Sequence, residues 1–175
     1  NCGHTGRIGE WADTIAKQGY AAFVAVNING HYRLVAPPGG KEGRTGTNPF
    51  SFAVPLKDGE TFMIDMSTSA TAMGKVWQAK LAGRQIAEGL LQDADGKPTT
   101  DPNVMWSDPK GALLPMGGAE GYKGFGLSMI IDFLTAGLSG GFAPPAPDSS
   151  AHTNNVVVTI WNPAYFAGFA HMSTE

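Results

Sequence analysis

The sequence predicts an α/β layered domain, a mixed sheet flanked by helices. Three observations predict it. Short apolar stretches with strand character alternate with segments of helical periodicity. An Asn-Gly turn between two of the apolar stretches reads as a β-hairpin, so the sheet is not purely parallel. The length of 175 residues, with 42% hydrophobic residues, suits one ordinary core.

Residues 9–18 read as the first helix, with Trp11, Ile15 and Ile8 at helical spacing, polar residues between them and Gly19 as the stop. Residues 20–28 (YAAFVAVNI) are a short, continuous apolar run and read as a buried strand. Asn29-Gly30 marks a turn, after which 31–36 reads as the second strand of a hairpin. Residues 37–50, rich in proline and glycine, form a long loop of the kind that usually carries function. Two strands follow, over 50–55 and 61–66, around Lys57-Asp58-Gly59. Thr68 or Ser69 is placed to cap a helix over 70–82. Residues 93–102 (DADGKPTTDP) read as turn-rich surface, and 117–123 as a second glycine-rich loop. Leu127, Ile130, Ile131, Leu134 and Leu138 fall on one face of a helix over 124–138, which Ser139-Gly140-Gly141 ends. A Pro/Ser loop leads to the clearest strand, 156–161 (VVVTIW).

Composition narrows the function classes. The chain has 24 glycines and 12 prolines, about a fifth of its residues against roughly 12% in ordinary proteins. They follow no fixed period, which excludes collagen and solenoid readings. Glycine at this density marks tight turns or backbone that a ligand approaches closely. A net charge of −3 without a Lys/Arg block argues against a nucleic-acid binder. Cys2 is the only cysteine, so no internal disulfide or cysteine-based zinc cage forms, which fits a reducing cytoplasm. The apolar stretch near 125–138 is short and interrupted by Asp132, so no membrane span is expected. The four histidines show no metal-ligand spacing.

Several familiar motifs fail. G-x-G-x-x-G is absent, Met129 standing where the third glycine would fall after Gly124 and Gly126, and no P-loop occurs. Gly137 to Gly141 matches the G-x-S-x-G elbow in letters, but it closes a helix where the elbow must join strand to helix. Asp93, Asp95 and Gly96 resemble part of a calcium loop and read better as a turn.

Three polar clusters survive. NCGHTGRIGEWA, residues 1–12, sets His4 and Thr5 before a helix whose first amides suit an anion; a plain cap with a surface histidine is the alternative. GRTGTNPF and IDMSTSATAMGK, residues 43–50 and 64–75, end a strand at Asp65 and lead through hydroxyls into a helix; ordinary caps are the alternative. LLPMGGAEGYKGFGL, residues 113–127, places Lys123 at a helix start, where it can pair with phosphate or carboxylate or stay solvated.

Taken in order, N-x-x-H-x-G, G-T-N-P, D-M-x-T-S-x-x-A-x-G-K, D-x-D-G-x-P-T-T-D-P and L-L-P-x-G-G…K-G-x-G-L span nearly the whole chain. The set resembles the malate/L-lactate dehydrogenase family, which is unrelated to the Rossmann-type lactate and malate dehydrogenases and includes sulfolactate and ureidoglycolate dehydrogenases and a cyclic-imine reductase. The resemblance implies a non-Rossmann nucleotide-binding domain, NAD or NADP as cofactor, and a 2-hydroxy acid or 2-oxo acid as substrate. It implies His4 as catalytic acid/base, a task that suits an imidazole of unperturbed pKa about 6.5; a histidine in a Ser-His-Gly motif of the family's first segment is the other candidate. Thr47, Met73 and Gly74 match substrate contacts. Asp65, Met66 and Ser67 match a cofactor strip, and Tyr122 and Lys123 a cofactor-binding pair. Lys75 stands where the imine reductase has an aspartate, and Cys2-Gly3 replaces the more usual Ser-Asn. The family's first and last segments have no counterpart in residues 1–175. The chain is therefore expected to be a single cofactor-binding domain of a longer two-domain enzyme, inactive or weak alone and homodimeric at full length. The alternatives are a stand-alone dinucleotide-binding module without turnover, and a glycine-rich interaction domain.

Overall fold

A computed structural model describes residues 3–30, 32–147 and 153–173. The elements are α1 (Ile8–Ala16), β1 (Ala21–Asn29), β2 (Phe50–Pro55), β3 (Thr61–Met66), α2 (Met73–Leu81), β4 (Leu91–Gln92), β5 (Pro98–Thr99), β6 (Ala112–Leu113), α3 (Tyr122–Asp132), β7 (Thr153–Trp161) and α4 (Phe169–Met172). Helix α3 runs on into a π-helical turn, Phe133–Gly137. The expected α/β layers are present. The named ladders are antiparallel throughout, and among the described residues parallel pairing is confined to an isolated bridge between Val35 and Leu113.

The main sheet has the order β3-β2-β1-β7. Strand β1 is central: Val24 opposes Ser51 on one side and Val158 on the other. Both edges of β1 are therefore occupied by strands distant in sequence. This is why the expected hairpin does not form. His31 lies outside the described residues, and 32–36 carries no strand; Val35, 1% exposed, crosses instead to bridge Thr45 and Leu113.

Alternation along β1 sends Val24 and Asn27 to opposite faces. On the first face α1 buries Ile8, Gly9, Ala12 and Ala16 against Ala22, Val24, Val26 and Ala53. The buried stripe is largely alanine, so the helix approaches closely, and Trp11, expected on this face, is turned outward with its indole N–H donating to the Thr5 carbonyl at 3.0 Å. Ile8 supplies the largest apolar side chain from the helix, worth roughly 1.5–3 kcal/mol of burial.

A second cluster joins Val35, Val76, Leu91, Met105 and Leu113, around a small sheet of order β5-β4-β6. The stretch read as surface turns contains β5 and a tight turn in which the Asp93 carboxylate accepts from the backbone N–H groups of Asp95 and Lys97, both at 2.9 Å. Helix α2 begins after Ala72 without a side-chain cap. Thr68 and Ser69, expected as caps, bond instead to the carbonyls of Thr47 and Thr71.

Helix α3 departs from the expected packing. Of the predicted stripe Ile131 is buried, whereas Leu127, Ile130 and Leu138 are exposed. The face turned inward carries Gly124, Ser128 and Thr135. The polar groups here meet polar groups opposite: Asp132 accepts from the buried amide of Asn27 on the second face of the sheet, and Ser128 accepts from Asn48. Among the described residues, no helix is long and apolar enough to cross a membrane, and no group of three or more His, Cys, Asp or Glu is placed to hold a metal ion.

Candidate functional site

Segments far apart in sequence converge on one cavity of about 280 Å3, whose lining includes His4, Thr5, Asn27, Thr47, Asn48 and Asp65. His4 precedes α1. Its Nδ1 accepts the Gly6 N–H at 3.0 Å, so in the neutral ring the proton sits on Nε2. His4 and Thr5 also border an apolar cavity of about 400 Å3 formed with Trp11, Ile15, Val156 and Val158.

Asp65 stands one residue before the end of β3, next to the start of α1. Its Oδ2 accepts the Gly9 N–H at 3.1 Å, and Arg7 lies 3.6 Å away. The helix amides read as suited to an anion thus receive a carboxylate of the chain itself. Gly9 is required by this contact, since a Cβ there would lie 2.6 Å from Asp65 Oδ2.

Thr47 lies in the G-T-N-P turn. Its carbonyl accepts from the Ser67 hydroxyl at 2.8 Å, the Thr68 N–H at 3.1 Å and the Thr68 hydroxyl at 3.0 Å. The turn is thereby bound to the end of β3, and Asp65, Met66 and Ser67 run beside it.

The remaining predicted residues lie elsewhere. The Met73 side chain packs on the second core cluster, and Gly74, in the first turn of α2, faces open space. Tyr122 is exposed, and Lys123 is paired with Glu120. None of these four lines the cavity that holds His4, Thr47 and Asp65. A backbone link does connect the third cluster to the second. Met116 N–H donates to the Thr68 carbonyl at 2.9 Å, and Gly124 packs so closely on Met116 that a Cβ would lie 2.3 Å from its carbonyl oxygen.

Sequence reading missed the amide and carboxylate groups beneath the cavity. Asn48, 1% exposed, adopts a left-handed φ of 36°. Its Nδ2 reaches the Ser128 carbonyl, the Ser128 hydroxyl and Asp132 Oδ1, each at 2.9 Å. Asn27 Nδ2 donates to the same Asp132 oxygen at 2.9 Å and its own Oδ1 accepts from Asn155 at 2.9 Å. Burial pushes the Asp132 carboxyl above its ordinary range, opposed by the hydrogen bonds from Asn27 and Asn48. One signal was available: two asparagines in apolar strands and one aspartate in an apolar helix are polar groups that need partners when buried.

The chain is an antiparallel α/β layer that lacks the G-x-G-x-x-G fingerprint and carries these motifs in this order. The profile of the Malate/L-lactate dehydrogenase family matches residues 1–175, and the chain belongs to that family. It is 36% identical over 175 residues to the L-lactate dehydrogenase of Cupriavidus necator, covering 98% of this chain and 49% of that protein. It is 36% identical over 170 residues to the (2R)-3-sulfolactate dehydrogenase (NADP(+)) of Chromohalobacter salexigens, covering 94% of this chain and 48% of that one. The crystal structure of delta1-piperideine-2-carboxylate reductase from Pseudomonas syringae superimposes with a TM-score of 0.80 at 32% identity, over 95% of this chain and 49% of the reductase. The chain spans about half the length of these relatives.

Proposed function

We propose that this chain is the nicotinamide-nucleotide-binding portion of a longer two-domain cytoplasmic enzyme, homodimeric at full length, that interconverts a 2-hydroxy acid and the matching 2-oxo acid. The observation that carries the reading is the convergence of His4, Thr47 and Asp65 on one cavity, although 43 and 61 residues separate His4 from the other two. The donor set fits a nicotinamide: a flat apolar ring needs an apolar floor, which Ile8, Val26 and Leu34 supply, and its carboxamide needs polar groups at the rim. The adjoining apolar cavity shares His4, Thr5 and Ile8 and extends the available room.

In this reading Asp65, Met66, Ser67, Tyr122 and Lys123 bind NAD or NADP, and Thr47, Met73 and Gly74 contact the acid. When bound, the nicotinamide supplies the hydride chemistry. His4 moves the hydroxyl proton. Its Nδ1 accepts the Gly6 N–H, which orients the ring with its proton on Nε2 as a donor to a substrate oxygen. For the ring to carry a transferred proton, Nδ1 must give up the Gly6 contact and take a proton itself. Thr47 is held in place through its carbonyl, so its side chain projects from a fixed turn. The family relatives' names support the hydroxy-acid class, and one of them names NADP(+).

Titration of the chain with NADH and NADPH, followed by nicotinamide fluorescence, tests the reading. Saturable binding of at least one is expected, with little or no turnover of lactate or malate by residues 1–175 alone. Absence of binding of both at millimolar concentration overturns it. In an active, longer form of the enzyme, His4→Ala is expected to lower kcat by about 10²–10⁴-fold. Near-normal kcat would leave His4 a helix-entry residue only.

A further inference from the structure

We propose that Asp132 is a positioning residue for the nucleotide cavity: through Asn48 it holds the G-T-N-P turn that presents Thr47 and anchors the end of β3. Asp132 is not among the residues lining the cavity of His4, Thr47 and Asp65, whereas Asn27 and Asn48 are. It therefore acts through other groups.

The geometry fixes one peptide from both sides. On one side the Thr47 carbonyl receives Ser67 and Thr68. On the other, the Asn48 side chain reaches α3 and ends on Asp132 Oδ1. Between them Asn48 holds φ at 36°, a left-handed conformation that asparagine tolerates but that needs its surroundings to maintain it. Gly46 completes the fit, because a Cβ there would lie 2.9 Å from Asn48 Oδ1 and from Ile28 Cγ2.

The choice of side chain follows from what must be satisfied. Two carboxamides, one from β1 and one from the turn, point N–H groups at the same oxygen. An ionised carboxylate only accepts, so it cannot present a donor to these donors. A leucine of similar size would take an acceptor from both carboxamides, leaving Asn27 with the Phe142 carbonyl at 3.4 Å and Asn48 with Ser128 alone, so the tie between turn and β1 is lost. Asn155 extends the network to β7. One helical residue thereby ties β1, β7 and the turn together beneath the cavity.

The inference rests on the proposed nucleotide site, and the test separates the two. Asp132→Leu and Asp132→Asn are compared with the parent chain by amide hydrogen exchange of Thr68, whose N–H donates to Thr47, and by the Kd for NADH or NADPH. Asp132→Leu is expected to lose roughly tenfold or more in Thr68 protection and in affinity, while protection of Ala12 and Val24 in the α1 layer changes far less. Asp132→Asn keeps an acceptor oxygen and is expected to restore most of both. Asn48→Gly, which permits the same φ without the amide, is expected to loosen Thr68 as Asp132→Leu does, and serves where the leucine variant does not fold. If Asp132→Leu or, failing that, Asn48→Gly leaves Thr68 exchange and affinity unchanged and lowers only the melting temperature, the positioning role is wrong. If the parent chain binds neither nucleotide, the functional reading fails, and Thr68 exchange still decides whether Asp132 holds the turn.

Discussion

Helices α1 and α3 both cover the four-stranded sheet, but they turn different chemistry toward it. Helix α1 presents Ile8, Ala12 and Ala16 to an apolar face and leaves its polar residues outside. Helix α3 and the turn after it bury Gly124, Ser128 and Thr135 beside Ile131 and Ala136, with Asp132 hydrogen-bonded beneath, while Ile130, Phe133 and Leu138 stay exposed. The first layer is held by non-directional burial, which tolerates small shifts. The second is held by hydrogen bonds, which specify angles and distances as well as contact. The polar layer lies beneath the G-T-N-P turn, where a site needs a fixed geometry, and the apolar layer supplies much of the stability that this arrangement draws on.

The sharpest test of the contrast is Ile8→Ala. It removes the largest buried side chain of α1 and is expected to destabilise the chain by about 2–5 kcal/mol in urea unfolding. A loss below 1 kcal/mol would show that the α1 layer is not held by burial. Ser128→Ala, on the facing layer, changes the volume little but removes the hydroxyl that meets Asn48. An expected loss of about 0.5–1.5 kcal/mol comes from one lost hydrogen bond and not from a cavity. A neutral result would break the comparison from the other side.

Asp132 gives a smaller, pH-dependent effect with a definite sign. Its folded pKa is raised above the unfolded value, so the folded state binds more protons between the two values. Stability is then highest below the unfolded pKa and falls as pH rises through the raised folded pKa. Comparing unfolding of the parent chain with Asp132→Asn across this acidic window isolates the group: the parent should lose stability relative to the variant as pH rises. The opposite slope would mean that the carboxylate is net stabilised in the fold.

The smallest effect is expected on the outer stripe. Ile130→Ser and Phe133→Ser should change the stability of the chain by no more than about 0.5 kcal/mol, and should reduce binding of a hydrophobic dye. A large loss would show that the stripe is packed and that only part of α3 is polar inside.

Much of the fold was legible locally. Strands β2 and β3 occupy the expected ranges, 50–55 and 61–66, because alternation and the Lys57-Asp58-Gly59 turn act over a few residues. Helix α2 falls within its expected segment, and α1 overlaps its own, starting one residue earlier. His4, Thr47 and Asp65 were legible as residues through their motifs, and their convergence was not. Asn48 and Asp132 carried no local signal of partnership, since the hydrogen bond joining them spans 84 positions. The apolar spacing in α3 predicted an inward stripe and was misleading, because periodicity shows which residues share a face but not what the facing surface offers.

By itself, then, the sequence determined the α/β character, the principal helices and strands, the glycine-rich loops and the family. Tertiary structure alone decided that β7 and β2 take both edges of β1, that 32–36 leaves the sheet, and that α3 turns its polar side inward. The physical reason is the same in each case. Backbone and amide hydrogen bonds must be satisfied by whichever groups chain folding brings within about 3 Å, and in this molecule those groups come from positions far apart in the chain, as Asn27 and Asp132 do.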